Sequence, residues 1–88
     1  AFTMGLVNKV CPSDQLDHTV QGFTSYFATA PTKSVGLIKK MLNRSSTATL
    51  EDMLEYEAYC QEIAGQSEDY KEGVTAFLEK RKPSFSGR

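Results

Sequence analysis

Residues 67–88 read "SEDYKEGVTAFLEKRKPSFSGR", and they decide the fold because they spell out a helix with both ends marked. Ser67 is an N-cap, since its hydroxyl can accept from an N–H group that the first helical turn leaves unpaired. Glu68 and Asp69 follow at the positive end of the helix dipole, while Lys80, Arg81 and Lys82 fall at its negative end. Tyr70, Val74, Phe77 and Leu78 recur at helical spacing and form one apolar stripe. Pro83 lacks an N–H and clashes with the preceding turn, so it stops the helix. The pattern predicts a helix that continues to Lys82.

Three further helices are legible upstream. From Leu50 to Ala64, Leu50, Met53, Leu54, Ala58 and Ala64 make a stripe, which Tyr56, Tyr59, Cys60 and Ile63 broaden around the cylinder. A helix apolar on several sides expects several neighbours. Glu57 and Gln61 lie on the main stripe, which is therefore expected to be only half buried there. Gly65 is the expected C-cap. Before it, "PTKSVGLIKKMLNRSS" places Val35, Ile38, Met41 and Leu42 on one face and Lys33, Lys39, Lys40 and Arg44 mostly on others. Gly36 costs this helix about 1 kcal/mol relative to alanine, which predicts a close backbone contact. Earlier still, Leu16, Val20, Phe23, Phe27 and Ala30 form a single stripe, with Ser13 or Asp14 as cap and Pro31 as stop.

The first residues differ. "GLVNKVCP", from Gly5 to Pro12, is a short run with β-branched residues and predicts a strand, although nothing else in the chain offers a second one. The fold class is accordingly mainly α: one short N-terminal strand and then about four helices, without internal repeats. The chain also begins, at Ala1, within an apolar pattern, as a piece of something longer would.

A chain of 88 residues and 9.8 kDa has room for one small domain. Such a domain buries roughly 60% of the surface its unfolded form exposes. With 40% hydrophobic and 24% charged residues, the composition is that of a soluble globular protein. The net charge of -1 gives no general attraction to nucleic acid or to an acidic membrane, so any anion site is local. No apolar run reaches the roughly 20 residues needed to span a bilayer. The expected compartment is the cytoplasm, or an organelle matrix in a eukaryote. Cys11 and Cys60 stand far apart, with only His18 available to share a metal, and are expected to be buried or half-buried thiols.

Catalytic signatures are missing: there is no glycine-rich phosphate loop, HExxH or nucleophile elbow, and His18 has no local partner. Glu51, Asp52, Glu55, Glu57 and Glu62 form a dense acidic helix, and such runs are ordinarily solvated faces. No catalytic residue, metal ligand or cofactor follows from the motifs. The tail is the best candidate site. Phe77 and Arg81 are one turn apart and Lys80 lies at i+3 from Phe77, so an aromatic plane and an ammonium can share one surface, suited to an adenine ring beside a phosphate. Equally open is a core Phe77 with bases that only complement the dipole.

In this order, "GLVNKV", "PSDQL", "APTKSVGLIKKML", "LEDMLEYEAYCQ" and the closing "SEDYKEGVTAFLEKRKPSFSGR" resemble the C-terminal region of the crotonase family, the enoyl-CoA hydratase and isomerase superfamily. The resemblance spans essentially the whole chain, and its "SGR" ending is most similar to phenylacetate-type members. It implies that residues 1–12 hold the last strand of a truncated spiral core, and that residues 13–88 are a helical domain that covers CoA and supports oligomerisation. The catalytic carboxylates and oxyanion hole of that family would lie upstream, so this chain would not be catalytic alone. The resemblance also implies that Phe77 and Lys80 reach CoA bound by a neighbouring subunit, near its adenine and phosphates. Implied partners are an acyl-CoA substrate and further copies of the chain, as a trimer or a dimer of trimers, with no nucleic acid or membrane. The alternative is a stand-alone helical module of the same descent that binds protein through its apolar third helix.

Overall fold

The computed structural model describes residues 1–88 and consists of helices and turns. A single 3-10 turn, Ser13–Gln15, leads into α1 (Leu16–Ala28), followed by α2 (Thr32–Ser45), α3 (Leu50–Gly65) and α4 (Glu68–Leu78). The four helices predicted from periodicity are present. The strand is not.

Residues 1–12 explain why. Gly5 takes a positive φ of 74°, and its N–H donates to the Phe2 carbonyl while the Leu6 N–H donates to that of Ala1, both at 3.0 Å. The chain start is therefore folded on itself, and the run from Val7 to Pro12 carries no regular structure. A strand exists only through hydrogen bonds to a neighbour, and no other segment of this chain is extended beside it. The predicted cap of α1 is also absent. Gln15 occupies the N-cap without a side-chain bond, because the 3-10 turn shifts the helix start beyond Ser13 and Asp14.

The later boundaries are chemically explicit. Pro31 separates α1 from α2, and its carbonyl accepts from the Val35 N–H at 3.1 Å. Thr49 caps α3 through a reciprocal box: its hydroxyl accepts from the Asp52 N–H at 3.1 Å, and the Asp52 carboxylate accepts from the Thr49 N–H at 3.4 Å. Ser67 ties α3 to α4, as its hydroxyl donates to the Ala64 carbonyl at 2.6 Å and accepts from the Tyr70 N–H at 3.0 Å. The expected glycine cap of α3 is not realised. Gly65 is the last helical residue, and Gln66 follows in a right-handed conformation because Ser67 must immediately open α4.

α2 and α3 pack as a helical hairpin, with α4 against the end of α3, whereas α1 packs mainly on its own leading turn. The Arg44 guanidinium lies 4.5 Å from the centre of the Tyr56 ring and links α2 to α3. The side of α3 turned inward carries Met53, Tyr56, Cys60 and Ile63, while Leu50 and Leu54 remain 77% and 58% exposed. Glu57 and Gln61 are exposed, Gln61 on the side that faces α2 and α4, so the stripe they share is covered only in part, as expected. Gly36 has no neighbour within 4 Å of where a Cβ would stand, and the close contact expected there does not occur within this chain.

The chain exposes 7397 Å². A compact protein of this mass exposes about 5,200 Å², so about 2,200 Å² is in excess, and folding hides nearer half of the unfolded surface than 60%. The Cα radius of gyration is 16.6 Å, with extents of 43 × 39 × 19 Å. About 12 Å is usual for a domain of this length. Only Cys60, Ser67, Asp69 and Ala76 are buried, and two of these four are polar. The α1 stripe of Leu16, Val20, Phe23 and Phe27 is exposed throughout.

Candidate functional site

The C-terminal turn of α4 and the segment that returns from it form the most closely bonded part of the molecule. Contrary to the periodicity, α4 does not run to Lys82 but ends at Leu78, with Glu79 as C-cap. Lys80 then takes a φ of 53°. The Lys80 N–H donates to Phe77 at 3.2 Å and the Arg81 N–H to Ala76 at 3.0 Å, the paired bonds of a Schellman turn. That motif ordinarily takes glycine at the left-handed position, because a Cβ there costs roughly 1–2 kcal/mol. The three bases therefore do not occupy the last helical turn, and no basic side chain does.

Past the turn, the chain runs back along α4. Glu72 receives both Nη1 and Nη2 of Arg81, at 2.6 and 2.9 Å, and accepts from the Ser84 N–H at 2.7 Å. Arg81 also donates from Nε to Glu79 at 2.6 Å and from Nη1 to the Lys82 carbonyl at 3.3 Å. The bidentate guanidinium, and then the Ser84 N–H, hold the Glu72 carboxyl down at about 2, below its ordinary 4.5. Glu72 and Glu79 together raise the Arg81 guanidinium still further above its already high range.

One turn before Glu72, Asp69 is 3% exposed and makes the second clasp. Its carboxylate accepts from the Ser86 N–H at 2.7 Å and the Gly87 N–H at 2.8 Å, and its own N–H donates to the Arg88 carbonyl at 2.9 Å. Between the clasps, the Phe85 ring lies over Gly73 at ordinary contact distance from where a Cβ would stand. Gly87 has a φ of 80° and approaches Thr32 so closely that a Cβ would lie 2.5 Å from its hydroxyl oxygen. Any side chain there is excluded on both counts.

Phe77 is 82% exposed and does not belong to a core of this chain, while Lys80 is exposed in the turn that follows. The helical i, i+3 spacing does not relate the two, because the helix ends between them. What the fold does place together is an open ring and an ammonium without an ion-pair partner on one turn. Phe77 also lines an apolar groove of about 520 Å³ between α2, α3 and α4, with Leu37, Met41, Val74 and Phe85 among its walls. Sequence reasoning missed Glu72, Asp69 and the returning tail. Their signal was the spacing of two carboxylates one turn apart ahead of a basic segment, which composition alone assigns to the helix dipole.

Cys60 is buried and Cys11 half buried, both free thiols. No group of three His, Cys, Asp or Glu side chains is placed to hold a metal ion, and no helix is long and apolar enough to cross a membrane.

A family model described as enoyl-CoA hydratase/isomerase matches residues 1–88. The chain is similar to the 1,2-epoxyphenylacetyl-CoA isomerase of Escherichia coli, with 42% identity over 100% of this chain and 34% of that protein. It is 32% identical to the trans-2-decenoyl-[acyl-carrier-protein] isomerase of Streptococcus mutans, again over 100% of this chain and 34% of the relative. A crystal structure of a Mycobacterium abscessus protein assigned to the enoyl-CoA hydratase/isomerases superposes with a TM-score of 0.94 at 38% identity, over 100% of this chain and 34% of that one. The chain thus spans about a third of the length of the curated relatives it matches.

Proposed function

Since the chain belongs to the enoyl-CoA hydratase/isomerase family, we propose that it is the C-terminal helical segment of an acyl-CoA enzyme, supporting trimer assembly and completing the CoA site of a neighbouring subunit. It does not catalyse alone, and residues 13–88 are its helical, CoA-covering part. The observation that carries this proposal is the surface. An excess of about 2,200 Å² over a compact protein of this mass is surface that needs covering, by the upstream two thirds that the relatives possess and by neighbouring subunits. The exposed α1 stripe and the α2–α4 groove are the natural faces for that burial.

In this role Phe77 packs on the adenine of CoA and the Lys80 ammonium acts as a point charge towards its phosphates. The enzyme works in the cytoplasm, or in an organelle matrix if eukaryotic. The 42% identity to a 1,2-epoxyphenylacetyl-CoA isomerase favours a phenylacetate-type acyl group. The test uses the chain joined to the upstream two thirds that its relatives possess. Lys80→Ala is expected to weaken coenzyme A binding and flatten its salt dependence, and a variant unchanged in both would remove Lys80 from the site.

The exposed Leu50 and Leu54 of α3 favour a second function, a helical module that binds another protein through that helix. Sizing the chain by itself and titrating it with coenzyme A separates the two. A monomer indifferent to the coenzyme that captures a protein through α3 would support the module.

A further inference from the structure

Lys80 is the one non-glycine residue of the chain with a positive φ, in a turn that glycine fits without strain. Strain of this kind persists only where the surroundings over-determine it. Here the surroundings are specific. The two residues flanking Lys80 are bonded to each other, since Arg81 donates to Glu79 at 2.6 Å, and the same guanidinium donates to both oxygens of Glu72 at 2.6 and 2.9 Å. Glu72 is anchored within α4, about one turn into the helix, so the turn is tied to a rigid element. The Ser84 N–H on the same carboxylate closes the far side of the loop at 2.7 Å.

Charge follows the same division. The carboxylates of Glu72 in the helix and Glu79 in the turn are both engaged by Arg81, whose forked donors are thereby largely occupied, while neither Lys80 nor Lys82 has an ion-pair partner. The guanidinium is thus a structural cation, and the ammonium groups on either side of it are left for an outside anion, that of Lys80 on the fixed turn itself.

We propose that Glu72 is a positioning residue: through the Arg81 fork it fixes the left-handed turn and so aims the Lys80 ammonium at a phosphate of bound CoA. The proposal rests on the CoA site described above and adds to it the element that sets its geometry. It also assigns Arg81 a role in the turn and none on the phosphate.

The test is a double-mutant cycle on the chain joined to its upstream portion, with coenzyme A as probe and its dissociation constant measured across a series of NaCl concentrations. Lys80→Ala is expected to weaken binding about three- to tenfold and to flatten the salt dependence. Glu72→Gln is expected to do the same, and the double variant is expected to be no weaker than either single one. Multiplying losses, or an unchanged salt dependence in Glu72→Gln, would show that Glu72 merely supports the fold. A silent Glu72→Gln beside a weakened Lys80→Ala overturns the positioning role alone, whereas a silent Lys80→Ala overturns the CoA site and this role with it. Should Glu72→Gln fail to fold, Arg81→Lys keeps the charge and loses the fork, and is read in the same cycle with the same outcomes.

Discussion

Removing the Asp69 carboxylate is expected to release the tail. Asp69 is 3% exposed and accepts from two backbone N–H groups, at 2.7 and 2.8 Å. A hydrogen bond to a charged group contributes about 1.5–3 kcal/mol, and a donor left buried without a partner costs a similar amount. Asp69→Ala loses both bonds, but the tail can detach and regain water, so the cost is limited to the free energy of tail docking. We set it at the lower bound of the two bonds, about 3 kcal/mol. Asp69→Asn keeps one acceptor oxygen and is expected to lose about half of that. At one factor of ten per 1.4 kcal/mol, the open population rises more than a hundredfold for alanine and about tenfold for asparagine. Limited trypsinolysis reads this directly, because cleavage after Lys80 or Arg81 tracks the open population when opening is fast relative to cleavage. Rates within twofold of the parent for Asp69→Ala would refute the claim that this carboxylate holds the tail.

Two further outcomes follow from the same region. The folded pKa of Glu72, about 2, lies below its ordinary 4.5, so its contribution to stability is fully present above 4.5 and is lost as pH falls towards 2. Tail docking followed by the Ser84 amide resonance should weaken across that window, and the same acid dependence in Glu72→Gln would refute the assignment. Lys80→Gly, which relieves the left-handed turn, is expected to raise stability to urea by about 0.5–1 kcal/mol. A lowered midpoint would mean that the lysine side chain contributes more to the turn than its backbone strain costs.

Helix positions were legible because they depend on local periodicity and stops. Pro31, Ser67 and the α3 stripe act within a turn of themselves. What covers each helix was not legible, since an apolar stripe states a need without naming its partner. Thus Leu16, Val20, Phe23 and Phe27 do share a face of α1, yet each stays about half exposed. The strand at Gly5–Pro12 failed for the same reason, as its ladder partner would have to come from elsewhere. The candidate site was half legible. Phe77 and Lys80 were visible as an aromatic and a base near a helix end, but the helix end was placed four residues late. Nothing local forbids a helix through Lys80 and Arg81, and it is Glu72, nine residues from Arg81, that supplies the competing bonds.

That competition bears on whether the site exists before its ligand. The buried centre of the C-terminal region is polar, with Ser67 and Asp69 beside Cys60 and Ala76, and it is held by hydrogen bonds rather than by a large apolar core. Hydrophobic faces such as that of α1 need a covering surface to contribute, so their geometry depends on assembly. The Glu72 and Asp69 clasps need only the chain itself. The turn bearing Lys80 is therefore set by bonds internal to α4 and its tail, so in the proposed CoA site the backbone cost of placing Lys80 would be met in folding and only its side chain would remain to be ordered.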